Sequence, residues 1–554
     1  MTYKKLNNYN PNFWIGKTIS FPLFLVMFPL VFLVHTACNN TDDSKSNTQI
    51  NWGECPDFID PDKKGAECTT VHMPLNHIDD DGLKVPIFVY RVLGKATQKK
   101  GQIWFLQGGP GDTNAVFAQL FLLITDRFPE WDFYSPEHRG VGRSANLNCN
   151  DQPLQDPDYL KWCIDFLEGT WGQHLKNFST TNAAFDVINL IDILREKDKQ
   201  VFIYGGSYGT YWIQRILQIN PNIADGVILD SVCPAANCFL DDFDANQNFM
   251  GMQIMEICNE DVVCSEKLGT IDPNAFQAVG KVFQKVDEGN ICAGCDNDEC
   301  MNITDTFDRV TLRNLLAVMA GDWCFRPLIP PLIYRLNRCS ESDQMALNNF
   351  LQTLSGGDDE NNGDGPELNS QALSDHVSLS ELFMGISFDE AEAIAEGAFF
   401  SDDTSLHLAE INATGLWPVY GNDGFIGRVP DTDIPVLMIN STIDGATPLS
   451  VAEKAKSFFN KDHQSFIPVP FASHGVIFTS YTTDIVEAGV ACVTPTPPNW
   501  TTCGLEMMFD FIEEPTGELN TSCLNNIYKL EFSGTSEITR ILSQINFGAD
   551  DMWE

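Results

Sequence analysis

One serine of the sequence has neighbours that suit nucleophilic chemistry. Gly205-Gly206-Ser207-Tyr208-Gly209 follows the apolar run VFIY, residues 201–204, and precedes a helical pattern over 209–218. G-x-S-x-G between a strand and a helix is a sharp turn that lifts a serine hydroxyl clear of a sheet. Its strained backbone leaves room only for small neighbours, which Gly205 and Gly209 supply. A serine hydroxyl is a poor nucleophile alone and needs a base, with a third group to orient that base. Asp444, closing the run PVLMIN in the phrase INSTIDGATP, and His474, after the last apolar run in FASHG, fill those roles. His474 would take the proton of Ser207, and Asp444 would orient the ring and stabilise the imidazolium. His463 precedes the last strand, and Asp431 and Asp433 precede theirs, so all three fall on the wrong side for catalysis.

Acyl transfer also needs donors for the oxyanion of the tetrahedral intermediate. Gln107-Gly108-Gly109-Pro110-Gly111 follows the strand-like QIWFL, upstream of the serine turn. Glycine there lets a carbonyl approach the backbone closely. The backbone N–H groups of Gly109 and Tyr208 are the expected donors, each worth about 3 kcal/mol in the transition state.

These turns need a sheet to hold them. Short apolar runs at 85–92, 102–106, 131–134, 201–204, 226–229, 435–440 and 465–469 read as strands. Residues 182–195 carry apolar positions at helical spacing, 209–218 form a second helix stopped by Asn220-Pro221, and a third lies near 450–458. Alternating strands and helices predict a mostly parallel sheet. The alternation stops between about 231 and 415, where helical patterns and cysteines predict an inserted cap. The expected organisation is core over 51–230, cap over 231–415, core again over 416–525 with a cysteine-bearing end, and a tail over 526–554. The order Ser207, Asp444, His474 is that of the α/β-hydrolase fold.

Four stretches carry a more specific resemblance. QGGPGD is similar to the HGGPG loop, and YGGSYGTY to the serine elbow, of the prolyl iminopeptidase and tripeptidyl aminopeptidase family. YSPEHRGVGRS resembles its D-x-RG-x-G-RS segment, with Glu137 in place of Asp. WGECPDF with GAECTTVHMPLNH, and the region from Cys503 to Cys523, resemble its terminal parts. The resemblance implies cleavage of a peptide bond near a free N-terminus through an acyl-enzyme, with a cap that admits only a chain end. It also implies acidic groups on or under the cap that hold the substrate amine. Asp241, Asp242, Asp244, Glu256, Glu260 and Asp261 all qualify, and spacing does not choose among them. A carboxylesterase or lipase, which uses the same machinery, is the alternative. A binding protein that kept the fold is the third class. A serine at position 207, where epoxide hydrolases and dehalogenases carry Asp, speaks against those two chemistries.

Export is the other expectation. Lys4, Lys5 and Lys17 precede an apolar run over 19–34 that ends in His35-Thr36-Ala37-Cys38. This is the layout of a secretory signal over 1–37. Thr-Ala-Cys resembles a bacterial lipobox, which makes Cys38 the expected lipid attachment site and 38–50 a polar tether. The expected location is therefore a lipoprotein facing the periplasm or cell exterior, with plain secretion as the alternative. Apart from Cys38, the 17 cysteines leave an even number, as suits an oxidising compartment. Cys55 with Cys68, Cys149 with Cys163, Cys258 with Cys264 and Cys503 with Cys523 are close enough for local bridges, although spacing does not fix connectivity. Cys292, Cys295 and Cys300 lack the second half of a zinc motif. The acidic loop over 356–367 falls partly in register for calcium, but Asn369 stands where the bidentate Glu belongs. No metal and no cofactor are expected. Lys plus Arg number 34 against 76 Asp plus Glu, a net charge of −42, which works against nucleic acid and anionic lipid as partners. Peptides with a free N-terminus are the expected partners.

Overall fold

Runs rich in Val, Ile, Phe and Trp that are buried on both faces become the central strands of a parallel sheet. The computed structural model describes residues 50–60, 64–79, 81–149, 157–292, 298–354, 368–487, 492 and 501–554. Within these lie β1 (Gly53–Glu54), β2 (Ala66–Pro74), β3 (Lys84–Val92), β4 (Gly101–Leu106) and β5 (Trp131–Pro136). They are followed by β6 (Gln200–Gly206), β7 (Gly226–Asp230), β8 (Val436–Ser441) and β9 (Gln464–Val469). The sheet order is β1-β2-β3-β5-β4-β6-β7-β8-β9. β1, β2 and β3 run antiparallel to their neighbours, while the pairs from β5 to β9 are parallel.

The pleat sorts the strand side chains into two cores. Trp104, Leu106, Val201 and Ile203 pack on one face, against helices Thr180–Leu194 and Tyr208–Ile219. Ile103, Phe105, Phe202 and Tyr204 pack on the other, against helices Val116–Ile124 and Cys503–Glu513. Each fully buried side chain of this size contributes about 1.5–3 kcal/mol. The Ser179 hydroxyl starts the first of these helices by accepting the Asn182 N–H at 3.3 Å, a serine cap of ordinary kind. Sheet, crossover helices and chain order together make this an α/β-hydrolase fold.

A helical insertion separates β7 from β8. Its helices, including Phe243–Glu260, Arg309–Gly321 and Ile329–Arg338, have their own core around Ile254, Leu316, Leu332 and Leu336. Two features of its extent differ from a simple lid. Leu373 and Val377, within the segment 231–415, pack into the sheet-side core instead. Conversely, residues after 526 form the helix Glu537–Phe547, whose Phe547 joins Trp553 in the cap core. Arg335, with its guanidinium buried, donates to the carbonyls of Met552, Asp551 and Glu554 at 3.1, 3.0 and 2.8 Å.

Seven disulfides join described residues, and the four spaced for local bridges are among them. The others are Cys233–Cys238, Cys292–Cys339 and Cys324–Cys492. Cys292 is thus paired with Cys339, and Cys295 lies outside the described residues together with the acidic loop over 356–367. The segment 1–49, with its expected signal and Cys38, also lies outside them. No helix of the described residues is long and apolar enough to cross a membrane. Bridges in this number suit an exported protein.

Candidate active site

The parallel strands deliver their C-terminal ends to one edge of the sheet, where ligands of open α/β sheets bind. Ser207 follows β6 with φ 54° and ψ −125° and precedes the helix that starts at Tyr208. These are the left-handed, strained angles that the glycine-flanked turn predicts. Two contacts show why the flanking glycines are required. A Cβ on Gly205 would lie 2.5 Å from the Gly209 carbonyl oxygen, and one on Gly209 would lie 2.4 Å from that of Leu106. Both obstacles are backbone, so neither can swing away. Gly205→Ala is expected to cost about 1–3 kcal/mol of stability, read as a lower urea midpoint at unchanged slope.

β4 lies beside β6, with Leu106 opposite Gly205. Their two turns therefore meet. A Cβ on Gly108 would stand 2.8 Å from the Ser207 Cβ and 3.3 Å from its hydroxyl. The glycine loop thus lies directly over the serine. No described hydrogen bond uses the N–H of Gly109 or of Tyr208. The Tyr208 N–H is the first of its helix, where backbone donors have no partner within the helix.

Asp444 and His474 lie beyond β8 and β9 and meet as a pair. His474 Nδ1 is 2.8 Å from Asp444 Oδ2. Asp444 is buried, and its Oδ1 accepts the N–H groups of Ala446 and Thr447 at 2.9 and 2.8 Å. The Thr447 hydroxyl donates to Oδ2 at 2.9 Å. Burial alone would raise the Asp444 pKa, but the His474 charge and these donors outweigh it and hold the carboxyl below its usual range. For His474, burial pulls the other way, and Asp444, Asp230 and Asp112 together raise the imidazole above its usual value. His463 instead contacts the Asp433 carbonyl oxygen at the opposite end of the strands.

Several functional neighbours escaped the reading of the sequence. Asp230 ends β7 fully buried and ties the two halves of the site together. Its carbonyl accepts the Ser207 N–H at 2.9 Å. Its carboxylate accepts the N–H groups of Val476 and Ile477 at 2.8 and 2.9 Å, and the Tyr204 hydroxyl at 2.9 Å. The Ser231 hydroxyl accepts the Gly475 N–H at 2.8 Å. An acid closing an apolar strand was the available signal. Asp112 follows the glycine loop and faces His474; burial pushes its carboxyl up to about 6, against the pull of the His474 charge.

Glu137 is buried and accepts the Thr113 hydroxyl at 2.9 Å and the Arg143 N–H at 2.8 Å. It braces the glycine loop from behind. Burial raises it to about 7, with the Arg143 and Thr113 bonds opposing. Asn369 accepts the Thr113 N–H at 2.8 Å, and the Gly111 carbonyl accepts that of Ser370 at the same distance. The segment that follows the acidic loop therefore clamps the glycine loop.

Several of the cap acids have structural work. Asp241 accepts the N–H groups of Met384 and Ile386 at 2.7 and 2.8 Å, and Asp261 caps a helix through the Cys264 N–H at 2.9 Å. Asp244 accepts from Ser405 and Leu406 at 3.3 and 3.2 Å, and burial beside Asp402 and Asp403 raises it to about 7. A different acid reaches the site. Asp322 lines a cavity of about 400 Å³ beside His474, together with Trp323, Phe478 and Tyr481.

No protein-family model matches the chain, and no curated protein matches it. Solved structures do match, at low similarity. A lipase in its open form is 12% identical over 74% of this chain and 92% of its own, with a TM-score of 0.29. A thermostable carboxyl esterase from Bacillus coagulans is 11% identical over 76% and 95%, also at 0.29. An epoxide hydrolase from Vigna radiata is 14% identical over 74% and 92%, at 0.27. This chain's own sheet order gives an α/β-hydrolase fold, with the strained serine turn and the paired Asp and His at one edge of its sheet.

Proposed function

We propose that the chain is an exported serine exopeptidase that cleaves peptide bonds near a free N-terminus. The observation that carries this reading is the glycine loop lying over Ser207, with the Asp444–His474 pair on the same edge of the sheet. The Ser207 hydroxyl attacks the scissile carbonyl carbon while His474 Nε2 takes its proton. The negative charge moves to the carbonyl oxygen, held by the N–H groups of Gly109 and Tyr208. The C–N bond then breaks, His474 returns the proton to the leaving amine, and the acyl group stays on Ser207. Water, deprotonated by His474, releases it.

The cavity beside His474 supports a peptide substrate. A carboxylate next to two aromatic rings complements an ammonium group, and Asp322, Trp323 and Tyr481 supply that combination. The same cavity gives the second reading its observation, since Val318, Trp323 and Phe478 also offer apolar wall to the alcohol or acyl group of an ester. Lipid attachment at Cys38, which would hold the enzyme at a membrane surface, belongs to this proposal.

A tripeptide p-nitroanilide with a free N-terminus, the same compound acetylated, and p-nitrophenyl butyrate separate the readings. The expected result is release of p-nitroaniline from the free form at a rate at least tenfold above the acetylated form, about the worth of one charge contact. Turnover of the butyrate with neither anilide cleaved would make this a carboxylesterase.

A further inference from the structure

Arg326 belongs to the cap insertion, yet it donates into both loops that carry the Asp444–His474 pair. Its Nη2 donates to the Ile443 carbonyl at 2.7 Å, one residue before the acid. Its Nη1 donates to the Ala472 carbonyl at 2.8 Å, two residues before the histidine. Nε is anchored on the Ala320 carbonyl at 2.7 Å, at the end of the cap helix Arg309–Gly321. The side chain is 1% exposed, and among the described residues no carboxylate forms an ion pair with it. A buried guanidinium held by carbonyls and the Met250 thioether, with no carboxylate bonded to it, is costly to desolvate.

We infer that Arg326 is a positioning residue for the Asp444–His474 pair, fixing the spacing of their two loops and placing a cation beside Asp444. Asp444 and Asp322 are the acids nearest that cation, and they partly offset the fall caused by its burial, which brings it to about 10. It therefore stays charged at neutral pH. The planar fork matters as much as the charge, because one guanidinium spans four carbonyls, those of Ala320, Phe471, Ala472 and Ile443, from fixed directions. The consequence for chemistry has a definite sign. The groups facing His474 are Asp444, Asp230 and Asp112, with Asp322 across the cavity, and all are acidic. Arg326, which the Asp444 charge acts on directly, tempers them through Asp444. Without it the imidazolium is held more strongly, and neutral His474 is reached only at higher pH.

The test follows the rate at which a fluorophosphonate labels Ser207 as a function of pH, which needs no knowledge of the natural substrate. This inference rests on the serine-hydrolase reading, so Ser207→Ala runs alongside. Labelling that survives in Ser207→Ala overturns that reading rather than the role of Arg326. In Arg326→Met the plateau rate is expected to fall at least roughly tenfold, as misplaced catalytic groups do. Its midpoint is expected to rise by about one pH unit. Arg326→Lys keeps the charge but not the fork, so its midpoint is expected to return while its plateau stays low. Folding is checked by circular dichroism. A folded Arg326→Met with the wild-type plateau and midpoint overturns the inference. If Arg326→Met does not fold, Arg326→Lys decides, and a wild-type plateau there overturns it equally.

Discussion

Ser207→Ala is expected to lower the turnover of p-nitrophenyl butyrate, or of the preferred anilide, by about 10⁶-fold, the scale seen when a triad nucleophile is removed. The melting temperature is expected to stay within a few degrees of wild type. The strain at Ser207 resides in backbone angles imposed by the turn, and the contacts that enforce them come from Gly205, Gly209 and β4. Alanine inherits those angles and loses only the hydroxyl. The residual rate should still exceed that in water, because the Gly109 and Tyr208 donors remain. An alanine variant with activity within tenfold of wild type would place the nucleophile elsewhere.

Asp444→Asn is expected to cost about 10⁴-fold in kcat while leaving the fold intact. The amide oxygen still accepts from Ala446 and Thr447, which hold one carboxylate oxygen now. The amide nitrogen then faces His474 Nδ1, so the ring is held with its Nε2 proton in place and cannot accept from Ser207. The pH profile adds a signed readout. Asp444 is the strongest of the three acids that raise His474. The base acts when neutral, so wild-type activity rises with pH through a midpoint above the histidine value of 6.5. With the acid gone, that midpoint must move to lower pH. An unchanged midpoint, or a loss below tenfold, would show that Asp230 or Asp112 serves His474 instead.

The sheet and the serine turn were legible because their signals are local. VFIY followed by GGSYG states a buried strand and a tight turn within nine residues. The chain order of Ser207, Asp444 and His474 then placed two more residues at strand ends, where β8 and β9 deliver them. β2 was not foreseen as a strand, since AECTTVHMP mixes threonines, a histidine and an acid; its burial alternates only where Cys68, Val71 and Met73 point inward. Asp230, Glu137 and Arg326 were illegible as partners for another reason. Each acts on groups far along the chain, and Arg326 reaches residues 443 and 472 from the cap. Charged side chains usually coat a surface, and composition cannot single out the few that are buried to hold loops. The same holds for Asp322, which the fold brings to His474 while its Oδ1 accepts the Cys324 N–H at 2.7 Å.

The covalent intermediate tests this account most directly. The enzyme is mixed with p-nitrophenyl butyrate, quenched in acid within the first turnover, digested and mapped by mass spectrometry. The account predicts a butyryl group on the peptide containing Ser207, formed in step with a burst of p-nitrophenol and absent from Ser207→Ala. Turnover without that adduct, or an acyl group on another residue, would contradict it.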